Sequence, residues 1–258
     1  MSACEKRSNA KEDEVTPPDS FPVMGIEEIV RRLPHYFTIS CASKRNSGKT
    51  VLISELIQTL LKEKRVDMVM IMSGSAGLNH DYEFLPKKLV TRFNEATLKS
   101  IWASQKDREE TDRPHILIVL DDCLATPEAL RNNTINAFYS LGRHVMCSFI
   151  IISQHTTHLL SPLIKANSDV ILWSKLNRGQ LKTLWEATTN ITLKDFIRLS
   201  ESLGGIHYQF MLLDNYTASI HPTEFLAVVK AKPPKPPTPT PAAPTRMLSP
   251  PPPPATRR

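Results

Sequence analysis

Eight residues constrain this chain more than any others: Ser43-Lys44-Arg45-Asn46-Ser47-Gly48-Lys49-Thr50. Upstream lies an apolar run, Tyr36 to Ala42, and downstream come apolar residues at Val51, Leu52, Leu56, Ile57, Leu60 and Leu61. The run predicts a buried strand, and the downstream spacing predicts a helix over 51–64. A strand, a loop closing on Gly-Lys-Thr and a helix form the setting that a Walker A motif requires. Gly48 lets the backbone approach phosphate oxygens, while successive N–H groups and the helix N-terminus offer partial positive charge. Lys49 adds a full charge at the β and γ phosphates, and the Thr50 hydroxyl suits Mg²⁺. Ser43 to Thr50 is therefore the expected nucleotide-binding segment. One position departs from the pattern, because the motif opens on Gly and this chain has Ser43. The loop entry must then avoid positive φ or carry strain.

A second stretch answers the first. His115 to Leu120 is a continuous apolar run that ends on Asp121 and Asp122. Such a run predicts a strand buried on both faces of a parallel sheet, with the two carboxylates at the end where open α/β sheets hold ligands. This is a Walker B pattern: Asp121 holds Mg²⁺ directly or through water, and Asp122 orients or deprotonates the attacking water. Adjacent residues on a strand point to opposite sides, so the dual role requires the backbone to turn at Asp122. The alternative is a helix N-cap at Asp121 or Asp122, with a helix opening near Thr126-Pro127-Glu128. A further strand, Ser148 to Ile152, ends on Ser153-Gln154, and the Gln154 amide can read the γ-phosphate or the lytic water. Simple nucleotide kinases do not need that extra strand, whereas ring-forming motor ATPases are laid out with it.

Length and composition permit this architecture. With 258 residues and 41% hydrophobic content, the chain can bury a large core in one domain with tails. The expected division is an arm over 1–20, a domain over 21–231 and a tail over 232–258. The arm mixes Lys6, Arg7 and Lys11 with five acids and few large apolar groups, which predicts disorder. The tail carries Pro233-Pro234, Pro236-Pro237 and the run Pro250 to Pro254, which favour polyproline II over a packed core. Of the formal net charge of +6, five units come from Lys232, Lys235, Arg246, Arg257 and Arg258 in a segment without acids. Global charge is thus no argument for nucleic-acid binding, although a local basic stripe would be. No apolar stretch reaches the roughly 20 residues of a membrane span, and 1–20 has no secretory apolar core, so a soluble, unsecreted protein is expected. The four cysteines, Cys4, Cys41, Cys123 and Cys147, lack paired metal-ligand spacing and read as reduced thiols.

The remaining segments read as scaffold. A short helix is expected within 21–34 and strands over 66–72, 169–173, 208–213 and 225–229. Helices are expected over 95–110, 132–142, 179–188 and 192–202. Asn79, His80, Asp81 and Tyr82 follow a strand end, where they either line a cleft or form an ordinary surface loop. Trp173 and Trp185 read as core, and Lys165, Lys175 and Arg178 as phosphate contacts or solvated surface.

Taken together, Arg45-Asn46-Ser47-Gly48-Lys49-Thr50, Leu117 to Cys123, Gly142-Arg143-His144 and Ile152-Ser153-Gln154 resemble the DNA-packaging ATPases of nucleocytoplasmic large DNA viruses, members of the FtsK/HerA superfamily. Bacterial FtsK translocases also carry an Arg eleven residues before the strand-end Gln and Leu-Ile-Lys-Ala-Asn soon after it, as Arg143, Gln154 and Leu163 to Asn167 do here. The likeness spans about 37–173, and Asp122 stands where many members have Glu. It implies an α/β P-loop NTPase fold of the RecA-like (ASCE) class, with a mostly parallel sheet flanked by helices. It further implies ATP and Mg²⁺ as cofactors and a homo-oligomeric ring that translocates double-stranded DNA, independent of sequence, into a preformed capsid. On that reading Lys49, Asp122 and Gln154 are catalytic, Asp121 and Thr50 hold Mg²⁺, and Arg143 is an arginine finger for a neighbouring subunit. A helix C-terminal charge is the plainer role for Arg143. A capsid or portal vertex protein is the implied partner. The implied place is the host cell's virion assembly site, in the cytoplasm rather than the nucleus, or on the virion. Two alternatives stay open: a small-molecule P-loop kinase and an ATP-binding assembly protein without translocation.

Overall fold

Apolar runs separated by amphipathic segments become strands and helices in alternation. The computed structural model describes residues 21–76, 81–122, 132–154, 159, 161–186, 191–203, 206–217 and 221–232. The strands are β1 (Val23–Met24), β2 (Thr38–Ser43), β3 (Met68–Ser73), β4 (Val90–Thr91), β5 (Ile116–Asp121), β6 (Cys147–Ser153), β7 (Val170–Ser174), β8 (Gln209–Asp214) and β9 (Leu226–Lys230). Between them run helices α1 (Ile26–Arg32), α2 (Lys49–Lys62), α3 (Glu95–Asp107), α4 (Asn133–Leu141), α5 (Pro162–Asn167), α6 (Arg178–Trp185), α7 (Leu193–Leu203) and α8 (Pro222–Phe225). The expected arm and tail, Cys4, Cys123 and the proposed helix near Thr126 lie outside the described residues.

Among the described residues the strands join one sheet in the order β1-β9-β8-β7-β2-β6-β5-β3-β4. All pairings are parallel except β7 with β8 and β8 with β9. The mostly parallel sheet expected from the sequence is thus present, and β6 lies between the loop-bearing strand β2 and the acid-bearing strand β5. The inserted strand β6 is the further strand that the sequence predicts ahead of Gln154.

Burial on both faces explains why the strands read as unbroken apolar runs. Along β5, Ile118 and Leu120 enter one core with Phe138 and Tyr139 of α4, Leu181 of α6 and Phe196 of α7. Leu117 and Val119 enter the other with Ile29 of α1 and Leu52 and Leu56 of α2. All four β5 side chains are fully buried, and burial of each such side chain is worth about 1.5–3 kcal/mol relative to exposure. Trp173 is buried and Trp185 packs half-buried on the first core, so both are core side chains as expected. Cys41 and Cys147 are buried free thiols, which burial pushes up to about 12, so both are neutral near pH 7.

Candidate nucleotide-binding site

Serine replaces glycine at position 43 without strain because the turn is displaced along the loop. Ser43 is fully buried and still in strand register with Ser174 of β7. The left-handed backbone falls instead at Asn46 (φ 56°) and Gly48 (φ 94°), so the loop entry avoids positive φ. Gly48 is fixed for two reasons: its φ disfavours other residues, and an added Cβ would lie 2.5 Å from Cδ1 of Tyr208.

Gly48 is also the N-cap of α2, and the contrast with three asparagine-capped helices is informative. Asn94, Asn132 and Asn177 cap α3, α4 and α6 by accepting first-turn N–H groups. Gly48 offers no side chain, and the first turn of α2 contains no acid. Its N–H donors and dipole are left for an anion, as a phosphate cradle requires.

The charged groups converge at the C-terminal ends of β2, β5 and β6. The Lys49 Nζ lies 2.9 Å from Oδ2 of Asp122, and Gln154 Nε2 donates to the same oxygen at 2.9 Å. β5 ends at Asp121, and Asp122 has φ 46°. The backbone therefore turns where the two carboxylates need it to, sending them to different neighbours. Asp121 is buried, and its Oδ2 accepts the Tyr82 hydroxyl at 2.8 Å. Its Oδ1 is buried without a hydrogen-bond partner. Burial pushes the Asp121 carboxyl up to about 6, against the opposing pull of Tyr82.

An orphan carboxylate oxygen beside an ammonium-bearing loop is a fitting ligand for a hard cation. The residues present thus suit Mg²⁺, with Asp121 and Thr50, which line the same cavity, as the groups that would hold it. Residues 45–51 line a cavity of about 860 Å³ together with Asp121, Asp122 and Gln154. Lys44 is exposed, and neither it nor Ser43 belongs to the lining.

Two contributions to this cavity were not legible in the motifs. Asp81 lines it and Tyr82 buttresses Asp121, so the loop after β3 is a cleft wall rather than plain surface; Asn79 and His80 lie outside the described residues. His207 and Tyr208, just before β8, also line it, although the sequence placed Tyr208 inside a strand.

Arg143 stands elsewhere. It is exposed on a 3₁₀ turn, Gly142–Val145, that precedes β6, whereas Gln154 follows β6. The seven residues of β6 separate the two ends by roughly 23 Å, so Arg143 cannot reach its own chain's phosphates. It lines a separate cleft of about 440 Å³ near Asp169. Two of the three cations read as phosphate contacts or solvated surface are paired with acids: Lys165, on α5 ahead of β7, lies 3.5 Å from Glu186, and Arg178 pairs with Glu201 at 2.9 Å. Lys175 Nζ is 3.2 Å from Nδ1 of His207.

Comparison with known proteins places this geometry in context. Among solved structures, the genome packaging NTPase B204 from Sulfolobus turreted icosahedral virus 2 in complex with AMPPCP superposes with a TM-score of 0.53. The identity is 14%, over 78% of this chain and all of B204. The pCW3 conjugation coupling protein TcpA with ATPγS gives 0.53 at 14% identity, over 76% of this chain and 60% of TcpA. At these identities the likeness is one of fold, and it is the P-loop ATPase fold expected from the motifs. The uncharacterized protein 015R of Frog virus 3 is 24% identical over 182 residues, 68% of this chain, and the chain spans 56% of that relative's length. The family profile described as Poxvirus A32 protein matches residues 30–168, which contain the phosphate loop, both acids, Arg143 and Gln154. Sequence motifs, sheet order and family profile agree over more than half of the chain, which belongs to the poxvirus A32 protein family.

Proposed function

We propose that this chain is an ATPase whose hydrolysis cycle drives double-stranded DNA into a preformed viral capsid, working as a homo-oligomeric ring at the site of virion assembly in the host cytoplasm. The observation that carries the reading is the convergence of Lys49, Asp121, Asp122 and Gln154 on one cavity while Arg143 sits at the opposite end of β6. A nucleotide bound there would draw Lys49 from Asp122 onto its phosphates. Asp122, released from the ammonium and still held by Gln154, would then orient the attacking water. Asp121 and Thr50 would hold Mg²⁺, which would supply charge neutralisation to the phosphates when bound. Arg143 lies too far away to act in its own site, so its guanidinium serves a neighbour's γ-phosphate or does no catalysis at all. Contacts with DNA follow the phosphate backbone, as a motor indifferent to sequence requires. The named functions of B204 and TcpA support this reading. The ATPase domain on this reading spans 21–231, and the basic, Pro-rich 232–258 segment has the composition to engage a proline-recognising host domain, a capsid or portal protein, or a nucleic-acid backbone.

Complementation tests the ring. Lys49→Ala and Arg143→Ala should each abolish turnover alone. Mixing the two should restore part of it, because an interface with Lys49 from one subunit and Arg143 from the next is intact. No recovery across mixing ratios, or full activity of Arg143→Ala alone, would remove the shared site.

A further inference from the structure

The γ-phosphate end of the cavity has evident partners, but the opposite wall is unassigned. Strand order orients it. Asp121, Asp122 and Gln154 lie on β5 and β6, to one side of β2, whereas β7 and β8 lie to the other. A triphosphate lying across Gly48 with its γ end toward Gln154 must run its nucleoside toward β7 and β8. β8 is antiparallel to β7, so its first residue is at the same sheet edge as the phosphate loop. His207 and Tyr208 immediately precede it and line the same cavity.

Tyr208 is held there by more than its place in the chain. Its φ is 61°, an unfavourable conformation for a large side chain that persists only when its surroundings impose it. Its N–H donates to the Ser47 carbonyl at 3.3 Å, and its own carbonyl accepts the Ala231 N–H at 2.9 Å. The ring therefore lies against Gly48, near enough that a Cβ there would meet two of its carbons at 2.5 and 3.0 Å. Behind it, His207 Nδ1 is 3.2 Å from Lys175 Nζ, and Lys175 is also left-handed, at φ 53°. The segment after β7 and the one before β8 thus both carry strained backbones, and the second sets the half-buried Tyr208 ring in the cavity wall, between Gly48 and the second core.

We propose that Tyr208 is the nucleoside contact of this site, stacking on the base of the bound nucleotide, with His207 and Lys175 closing the wall behind it. The assignment rests on the nucleotide reading above and adds the base-binding side to it. An aromatic ring recognises any base through its π-face, and removal of one stacking side chain typically costs about 1–3 kcal/mol per base.

Equilibrium binding of ATP and of inorganic triphosphate, each with Mg²⁺, to the full chain separates the possibilities. Triphosphate keeps the phosphates and lacks the base. Tyr208→Asn removes the ring yet tolerates left-handed backbone, so the fold is retained. ATP affinity should fall about tenfold or more in Tyr208→Asn, triphosphate affinity should change less than about twofold, and Tyr208→Phe should bind both as the wild type does. Equal losses for the two ligands would reduce Tyr208 to a prop for the phosphate loop and overturn the proposal, as would undiminished ATP binding. Lys49→Ala serves as the control for the underlying reading: it should weaken both ligands. A wild-type chain that binds neither would overturn that reading and this one together.

Discussion

One tyrosine hydroxyl determines which oxygen of Asp121 is left for a ligand. By donating to Oδ2 at 2.8 Å, Tyr82 satisfies one side of a buried carboxylate, and Oδ1 remains without a partner. Removing the donor without changing the shape should leave both oxygens wanting. Tyr82→Phe is accordingly expected to destabilise the protein by about 1–3 kcal/mol, the cost of an unsatisfied buried group, read as a lower denaturant midpoint at unchanged slope. An unchanged midpoint would mean that water or another side chain replaces the hydroxyl. The acids themselves were legible because their chemistry demands carboxylates at the end of an apolar strand, and Lys49 because it must follow Gly48 in the loop. Tyr82 was legible only as one member of a polar cluster, since its bond to Asp121 spans 39 positions. Tyr208 was read as strand, because its left-handed backbone is imposed by Ser47 and Ala231 rather than by local sequence.

At the scale of elements, the ends of the strands opposite the phosphate loop are fastened by a buried histidine. The N–H of His115, just ahead of β5, donates to Asp67 Oδ2 at 2.7 Å, and its Nε2 lies 2.7 Å from Ser148 Oγ on β6. That same hydroxyl accepts the Phe37 N–H, ahead of β2, at 3.0 Å. Burial, reinforced by the neighbouring His35, pushes the His115 imidazole down to about 4. The folded state therefore prefers the neutral ring. Its contribution is fully present above about 6.5, the unfolded value, and is lost as pH falls from there toward 4. The loss is on the order of 3 kcal/mol across that window. Urea unfolding at pH 7 and pH 4.5 should show a smaller drop in stability for His115→Gln than for the wild type; equal drops would rule out His115 as the titrating group. Strand existence was readable from apolar runs, but direction and neighbour order were not. Periodicity is blind to whether β8 runs antiparallel, and the two-residue strands β1 and β4 are too short to show any. The insertion of β6 between β2 and β5 is a property of pairing rather than of any one segment.

Across the whole molecule, two clefts lie at opposite ends of the central strands. Lys49, Asp121, Asp122, Gln154 and Tyr208 gather at one end, and Arg143 lies at the other beside its own cleft. On the proposed role of Arg143, head-to-tail assembly would let each interface complete one site. The last described residue, Lys232, is pinned to Glu55 of α2 through its N–H at 3.0 Å and its Nζ at 3.3 Å. The central claim, that hydrolysis at this site is coupled to DNA, is tested most directly by steady-state ATP turnover of the full chain with and without long double-stranded DNA, with Lys49→Ala as the blank. Stimulation by DNA of any sequence, weakening as salt rises and absent in Lys49→Ala, is the expected result. Turnover that DNA leaves unchanged would contradict the motor and point to a small-molecule phosphate acceptor, and no turnover at all would leave an ATP-binding assembly protein.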